Sequence, residues 1–188
     1  MKYKRQAEDI IRYVAAMRDA EGYACIDIHL SSDIELYDPL SYGENLDLSN
    51  GIYDFIEGQD NMIPAHVPLR IRFHGRSLSP EEQEKIRRIM RRHYTMLSYD
   101  VMWDMAANFR KMIGFSIFGV VMLGIYFYLV LSSDNAIATE ALSIIGSFSL
   151  WEAADAFLLE RPRLRRERAN IMQNRNQLIE FVEEYNLT

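Results

Sequence analysis

Residues 112–131 read MIGFSIFGVVMLGIYFYLVL, an apolar run with no charge in it. A helix rises about 1.5 Å per residue, so about 20 residues match the ~30 Å hydrocarbon core of a bilayer. The run is too long and too evenly apolar to be the buried stripe of an ordinary globular helix. It predicts a membrane span, and the rest of the chain has to be read around it.

A second candidate span follows at once. Residues 136–159, AIATEALSIIGSFSLWEAADAFLL, are long enough to cross but include Glu140, Glu152 and Asp155. Only SSDN, residues 132–135, separates the two, so the pattern predicts an antiparallel two-helix transmembrane hairpin. Arg110 and Lys111 precede the first span, and Arg161, Arg163, Arg165, Arg166 and Arg168 follow the second. The connecting loop has no Lys or Arg, which predicts both termini on the cytoplasmic side of the inner membrane. Tyr126 and Tyr128 fall near the outer end of the first span, where amphipathic rings are favoured. Gly114, Gly119 and Gly124 are five apart and spread around the helix, so they form no GxxxG seam.

Charge divides along the chain in the same way. The net charge is -6, with 21 basic and 27 acidic residues. Residues 1–78 carry 8 basic and 13 acidic groups, and 112–160 carry 5 acidic and no basic ones. Residues 79–111 carry 7 basic and 5 acidic groups, and 161–188 carry 6 and 4. Basic charge flanks the apolar part. The single cysteine, Cys25, excludes an intrachain disulfide and fits a cytosolic head. MKYKRQAEDIIRYV has no continuous apolar stretch before Glu8 and Asp9, so no signal peptide is expected and insertion falls to the internal run.

Ser149, Glu152 and Asp155 share one face of the second span. An ionised group near mid-bilayer costs at least ~2.5–3.5 kcal/mol. Counted from Arg161, Asp155 lies roughly 9 Å inward and Glu152 roughly 13 Å. One explanation is local neutralisation: a hairpin folded about SSDN brings Asp155 level with Lys111 and Glu152 level with Ser116, or Glu152 is protonated. Another is that several copies assemble and the stripe lines a water-filled cation path, and a third is a proton-coupled or ligand-binding role.

The flanking sequence reads as a small cytoplasmic α+β head with two or three short strands. Residues 6–20 place Ile10, Ile11, Val14 and Met17 on one helical face. YACIDIHL alternates as a half-buried strand, Ile26, Ile28 and Leu30 inward, Asp27 and His29 outward. Asp33 to Leu36 is a candidate short strand, and Asp38-Pro39 a turn. Leu48, Ile52, Phe55 and Ile56 have helical spacing. VPLRIRFHG alternates again, with Leu69, Ile71 and Phe73 inward. Ser79-Pro80-Glu81-Glu82 is a capping box with proline at the first helical position. A helix is expected to begin there and to run on as a basic amphipathic stalk, through 79–111, into the first span. Ile86, Ile89, Met90 and Leu97 form its apolar face. Leu164, Ile171, Leu178 and Tyr185 recur every seven residues, so 160–188 is predicted to be a C-terminal amphipathic helix. The predicted order is thus head 1–78, stalk 79–111, membrane hairpin 112–159 and C-terminal helix.

No P-loop, GxSxG, HExxH or CxxC pair is present, so neither an enzyme nor a cofactor is expected. Asp27, His29, Asp33, Glu35 and Asp38 resemble an oxygen-rich metal set, but the outward half of an alternating strand explains them better. Arg70, Arg72, His74 and Arg76 share a strand face suited to an anionic ligand such as a nucleotide or oligonucleotide. Cross-strand pairing of Arg72 with Asp27 or Glu35 is the stronger alternative, worth ~0.2–1 kcal/mol per pair. Lys85, Arg87, Arg88, Arg91 and Arg92 form the basic helix face. Lipid headgroups favour such a cluster at about 1 kcal/mol per residue. Yet Arg92 precedes Met112 by about 20 residues, roughly 30 Å of straight helix. The face then serves a bent helix, another subunit or a soluble anion.

Two functions fit these parts. One is a homo-oligomeric, ion-permeable membrane assembly or membrane-disrupting effector gated through its head. The other is a membrane anchor that recruits a soluble partner. In the order of its parts the chain resembles the small two-span membrane effectors of bacterial phage-defence operons, which join a cytoplasmic sensing part to a membrane part that disrupts the ion gradient. The resemblance implies a regulated membrane effector, covers layout alone, and gives no residue a role.

Overall fold

A computed structural model describes residues 17–31, 33–132 and 136–182. Most of the helix expected over 6–20 lies outside the described residues. The chain is of mixed helix-and-strand class. It divides into two compact units, Met1–Ser98 with Ala169–Thr188, and Tyr99–Arg168.

The first unit is built on three parallel strands in the order β1 (Ala24–His29), β2 (Leu69–His74), β3 (Leu178–Val182). Parallel strands need long crossovers. The first carries a short 3-10 turn (Gly43–Asn45) and α1 (Asn50–Asp60), and the second carries the remaining helices among the described residues. The alternation in β1 and β2 sets the face: Ala24, Ile26, Ile28, Leu69, Ile71 and Phe73 are buried under α1 residues Ile52, Tyr53 and Ile56. At the end of β2, Gly75 has φ 98° and a Cβ there would lie 2.8 Å from His29 Cε1, so only glycine fits.

The capping box forms as the sequence predicts. The Glu82 amide donates to Ser79 Oγ (3.3 Å), and the Ser79 amide donates to Glu82 Oε2 (2.9 Å). From it α2 runs unbroken over Pro80–Ser132. Its first turns are not a free stalk. Ile86, Ile89, Met90 and Tyr94 are buried in the core of the first unit, with Leu97 packed against them.

The C-terminal segment departs from expectation. Its helix, α4 (Arg161–Arg175), stops at Asn176, and Leu178–Val182 then pairs with β2 as the third strand. The heptad of Leu164, Ile171 and Leu178 therefore crosses from helix to strand, and Tyr185 lies outside the described residues. Strand register accounts for the apolar positions: Ile179 and Phe181 align with Ile71 and Phe73. Residues 33–36 form a bend rather than a strand, closed by the Ile34 amide donating to Ser31 O (3.2 Å).

In the second unit, α2 and α3 (Ala136–Asp155) are long and apolar enough to cross a membrane. A π-turn, Ala156–Glu160, joins α3 to α4 without a break. The buried face of this stretch is small: Gly146, Ser149, Ala153 and Ala156. A Cβ on Gly119 would lie 2.8 Å from Leu150 Cγ, and one on Gly146 would lie 2.9 Å from Leu123. The glycines therefore let the two backbones approach closely.

Candidate functional site

The polar face of the sheet is an ionic ladder. Strand register puts Asp27, Arg72 and Glu180 in one row. Arg72 holds Asp27 by two hydrogen bonds of 2.7 Å, and His74 Nε2 lies 2.7 Å from Asp27 Oδ1. Burial would raise the Asp27 carboxyl, but the Arg72 and His74 hydrogen bonds outweigh it and hold it below the usual carboxylate range. Arg70 reaches Asp19 (2.9 Å), Glu21 and Glu180 (3.4 Å). Arg70, Arg72 and His74 are thus engaged by the fold's own carboxylates, and of these contacts the Arg72–Asp27 pair is the one the sequence favours. Arg76, just beyond the strand, is exposed.

The metal-like set is dispersed. Asp27 serves the ladder, and Asp38 Oδ1 accepts from the Leu40 amide (2.7 Å) in a turn. Among the described residues, no three His, Cys, Asp or Glu side chains come together to hold a metal ion.

The basic face of α2 separates into different jobs. Arg92 donates to the backbone carbonyls of Glu44 and Leu46, fixing the loop before α1. His93 stacks on Tyr53 (3.7 Å), whose hydroxyl donates to Asp47 Oδ1 (2.6 Å). Burial pulls the His93 imidazole down, and Arg92 adds to this, against the pull of Asp47. Lys85 lies over the Tyr37 ring, and Arg87 over Phe181 with a long 3.6 Å contact to Glu84. Arg88 and Arg91 are exposed. Arg87 and Arg91 line a cavity that also takes in Arg175 of α4.

The polar stripe of α3 separates too. Ser149 is buried and donates to Ile145 O of its own helix (2.8 Å). Glu152 sits 3.6 Å from Lys111, which also binds Glu160 (3.2 Å). Lys111 therefore bridges Glu152 and Glu160, which bracket Asp155 along the helix, near the level at which a plain hairpin count places it. Asn108 Nδ2 donates to Ala156 O (3.0 Å), a carbonyl at the start of the π-turn, where the regular helical ladder is interrupted. Asp155 is half-buried.

Sequence reasoning missed Asp60, Gln173 and Asn174. Gln173 donates to Pro64 O (3.1 Å) and Val67 O (2.6 Å), and Asn174 donates to the Asp60 carboxylate. These bonds fasten the end of α4 to the end of α1 and to the loop before β2. Only the polarity of the QNRNQ run, residues 173–177, hinted at Gln173 and Asn174, and polarity alone names no partner. Compared with family models, curated proteins and solved structures, the chain matches none.

Proposed function

We propose that this chain is a two-span membrane protein of the cytoplasmic membrane, with both termini cytoplasmic, whose copies assemble into an ion-permeable path regulated by the head. The observation that carries the proposal is the pair of connections between the two units. Helix α2 leaves the head core at Ile86–Tyr94 and continues unbroken into the apolar run. The helix of the second span continues through the π-turn into α4, whose end supplies Gln173, Asn174 and then β3 to the head. A tether needs one flexible linker. Two helical connections, both ending in core elements, suit a head whose rearrangement moves the spans.

Two helices do not enclose a path, so conduction requires several copies. The exposed faces of the spans are apolar and aromatic, including Ile117, Phe148 and Trp151, as lipid or neighbouring copies require. The glycines of the first span, spaced by five, form no GxxxG seam of a tight dimer. The layout shared with phage-defence effectors points the same way.

The experiment is ion flux from liposomes holding the full chain, together with its mass in detergent. Flux from an oligomer is expected, and insertion of Gly-Gly-Gly between Ser98 and Tyr99 should uncouple it from the head. A chain that is monomeric and passes no ions ends this reading. The second reading, a membrane anchor that recruits a soluble partner, is favoured by one observation: Lys111 neutralises Glu152 and Ser149 bonds its own helix, so the stripe needs no water path. It predicts no flux and a partner captured by the head.

A further inference from the structure

The geometry points to a binding site for a small phosphate ester carrying hydroxyl groups, in the cavity where α2 meets the turn between α4 and β3. The cavity is about 340 Å³, at the small end of ligand pockets. Arg87 and Arg91, one helical turn apart on α2, line it with Arg175 from the last residue of α4. Glu84 reaches Arg87 alone, through a long and exposed 3.6 Å contact. Three like charges around one cavity repel one another, and a dianionic phosphate relieves that repulsion while accepting forked hydrogen bonds. This sets the cluster apart from Arg70 and Arg72, whose charge the sheet already satisfies.

A second observation narrows the ligand. Asn174 and Gln177 also line the cavity, and Asn174 Oδ1 and Gln177 Oε1 are buried without a hydrogen-bond partner. Buried acceptors left open are costly, and a turn of the Gln177 amide toward the cavity lets a ligand hydroxyl complete its oxygen. The turn itself is held in place, with the Asn176 amide donating to Met172 O (3.2 Å) and the Gln177 amide to Asn174 O (3.3 Å). Arginines for the phosphate and an amide oxygen for a hydroxyl describe a sugar phosphate or nucleotide. Such a ligand would clasp the strand-forming C-terminal segment to the helix that leads into the first span. Its effect on ion flux rests on the proposed membrane function, whereas its binding does not.

The test is thermal unfolding of the full chain in nanodiscs of neutral lipid, with ribose 5-phosphate as probe and ribose as control. Ribose 5-phosphate should raise the midpoint in a concentration-dependent way, and ribose should not. Arg91→Ala and Arg175→Ala, both at exposed positions, should each weaken binding by about tenfold or more. Gln177→Leu should retain inorganic pyrophosphate and lose the preference for ribose 5-phosphate. Equal protection by ribose overturns the site, as does undiminished binding in both arginine variants. Protection by phosphatidic acid in the nanodisc but not by ribose 5-phosphate also overturns it, assigning the arginines to lipid. Ribose 5-phosphate that binds without changing flux sustains the site and counts against the gating role alone.

Discussion

Asp60 sits at the end of α1, 4% exposed, with Asn174 as its donor. Burial pushes its carboxyl up to about 6 despite that hydrogen bond, and the neighbouring Glu57 charge adds to the shift. The folded-state value therefore lies above the unfolded one. Protonation favours the fold: the contribution is fully present below about pH 4 and is lost as pH rises through about 6. A shift of this size corresponds to up to about 3 kcal/mol. Taken by itself, Asp60 makes the head more stable at pH 5 than at pH 7. In Asp60→Asn the difference in unfolding midpoint between those two pH values should shrink, as urea denaturation would measure. An unchanged pH slope would remove Asp60 from the account. Nothing in the sequence marks this residue, because its chemistry comes from Asn174, 114 positions away.

At the level of elements, legibility followed how local the determinant is. Strands β1 and β2 and the start of α2 were readable because alternation and a capping box act within a few residues. Strand β3 was not. Leu164, Ile171 and Leu178 keep helical spacing, and only pairing with Arg70–His74 makes 178–182 a strand. The seam between the two long apolar helices was hidden for a related reason. Gly119 looks unimportant beside Gly114 and Gly124, since the surface it matches, Gly146 and Leu150, belongs to another helix. Of the candidate site, the Arg72–Asp27 pairing was legible, whereas the meeting of Arg91 with Arg175 needed the folded turn. The seam yields a sharp comparison. Gly146→Val drives a side chain against Leu123 and the Gly119 carbonyl, and should cost about 1–3 kcal/mol. Gly124→Val, where a Cβ meets nothing within 4 Å, should leave the midpoint in detergent unchanged. Equal loss in both variants would mean that the helices do not pack through this seam.

Across the whole molecule, the head is discontinuous in sequence. Its core takes Ile86, Ile89, Met90 and Tyr94 from the segment entering the apolar part, and its third strand from the segment returning. Without that return, the β2 edge that carries Arg70–His74 loses its partner, Phe73 loses the stacked Phe181 ring (5.4 Å), and Asp60 loses its donor. An uncovered parallel edge with a half-exposed core beside it favours aggregation. A chain of residues 1–98 alone should therefore fail to unfold cooperatively. The same chain joined to residues 169–188 through a flexible glycine-serine linker should give a single cooperative transition by circular dichroism. If residues 1–98 alone melt as sharply as the joined chain, the returning segment is an accessory. The two helical connections then lose the mechanical meaning on which head-regulated permeation depends. If only the joined chain folds, the head cannot rearrange without shifting both segments that lead to the long apolar helices.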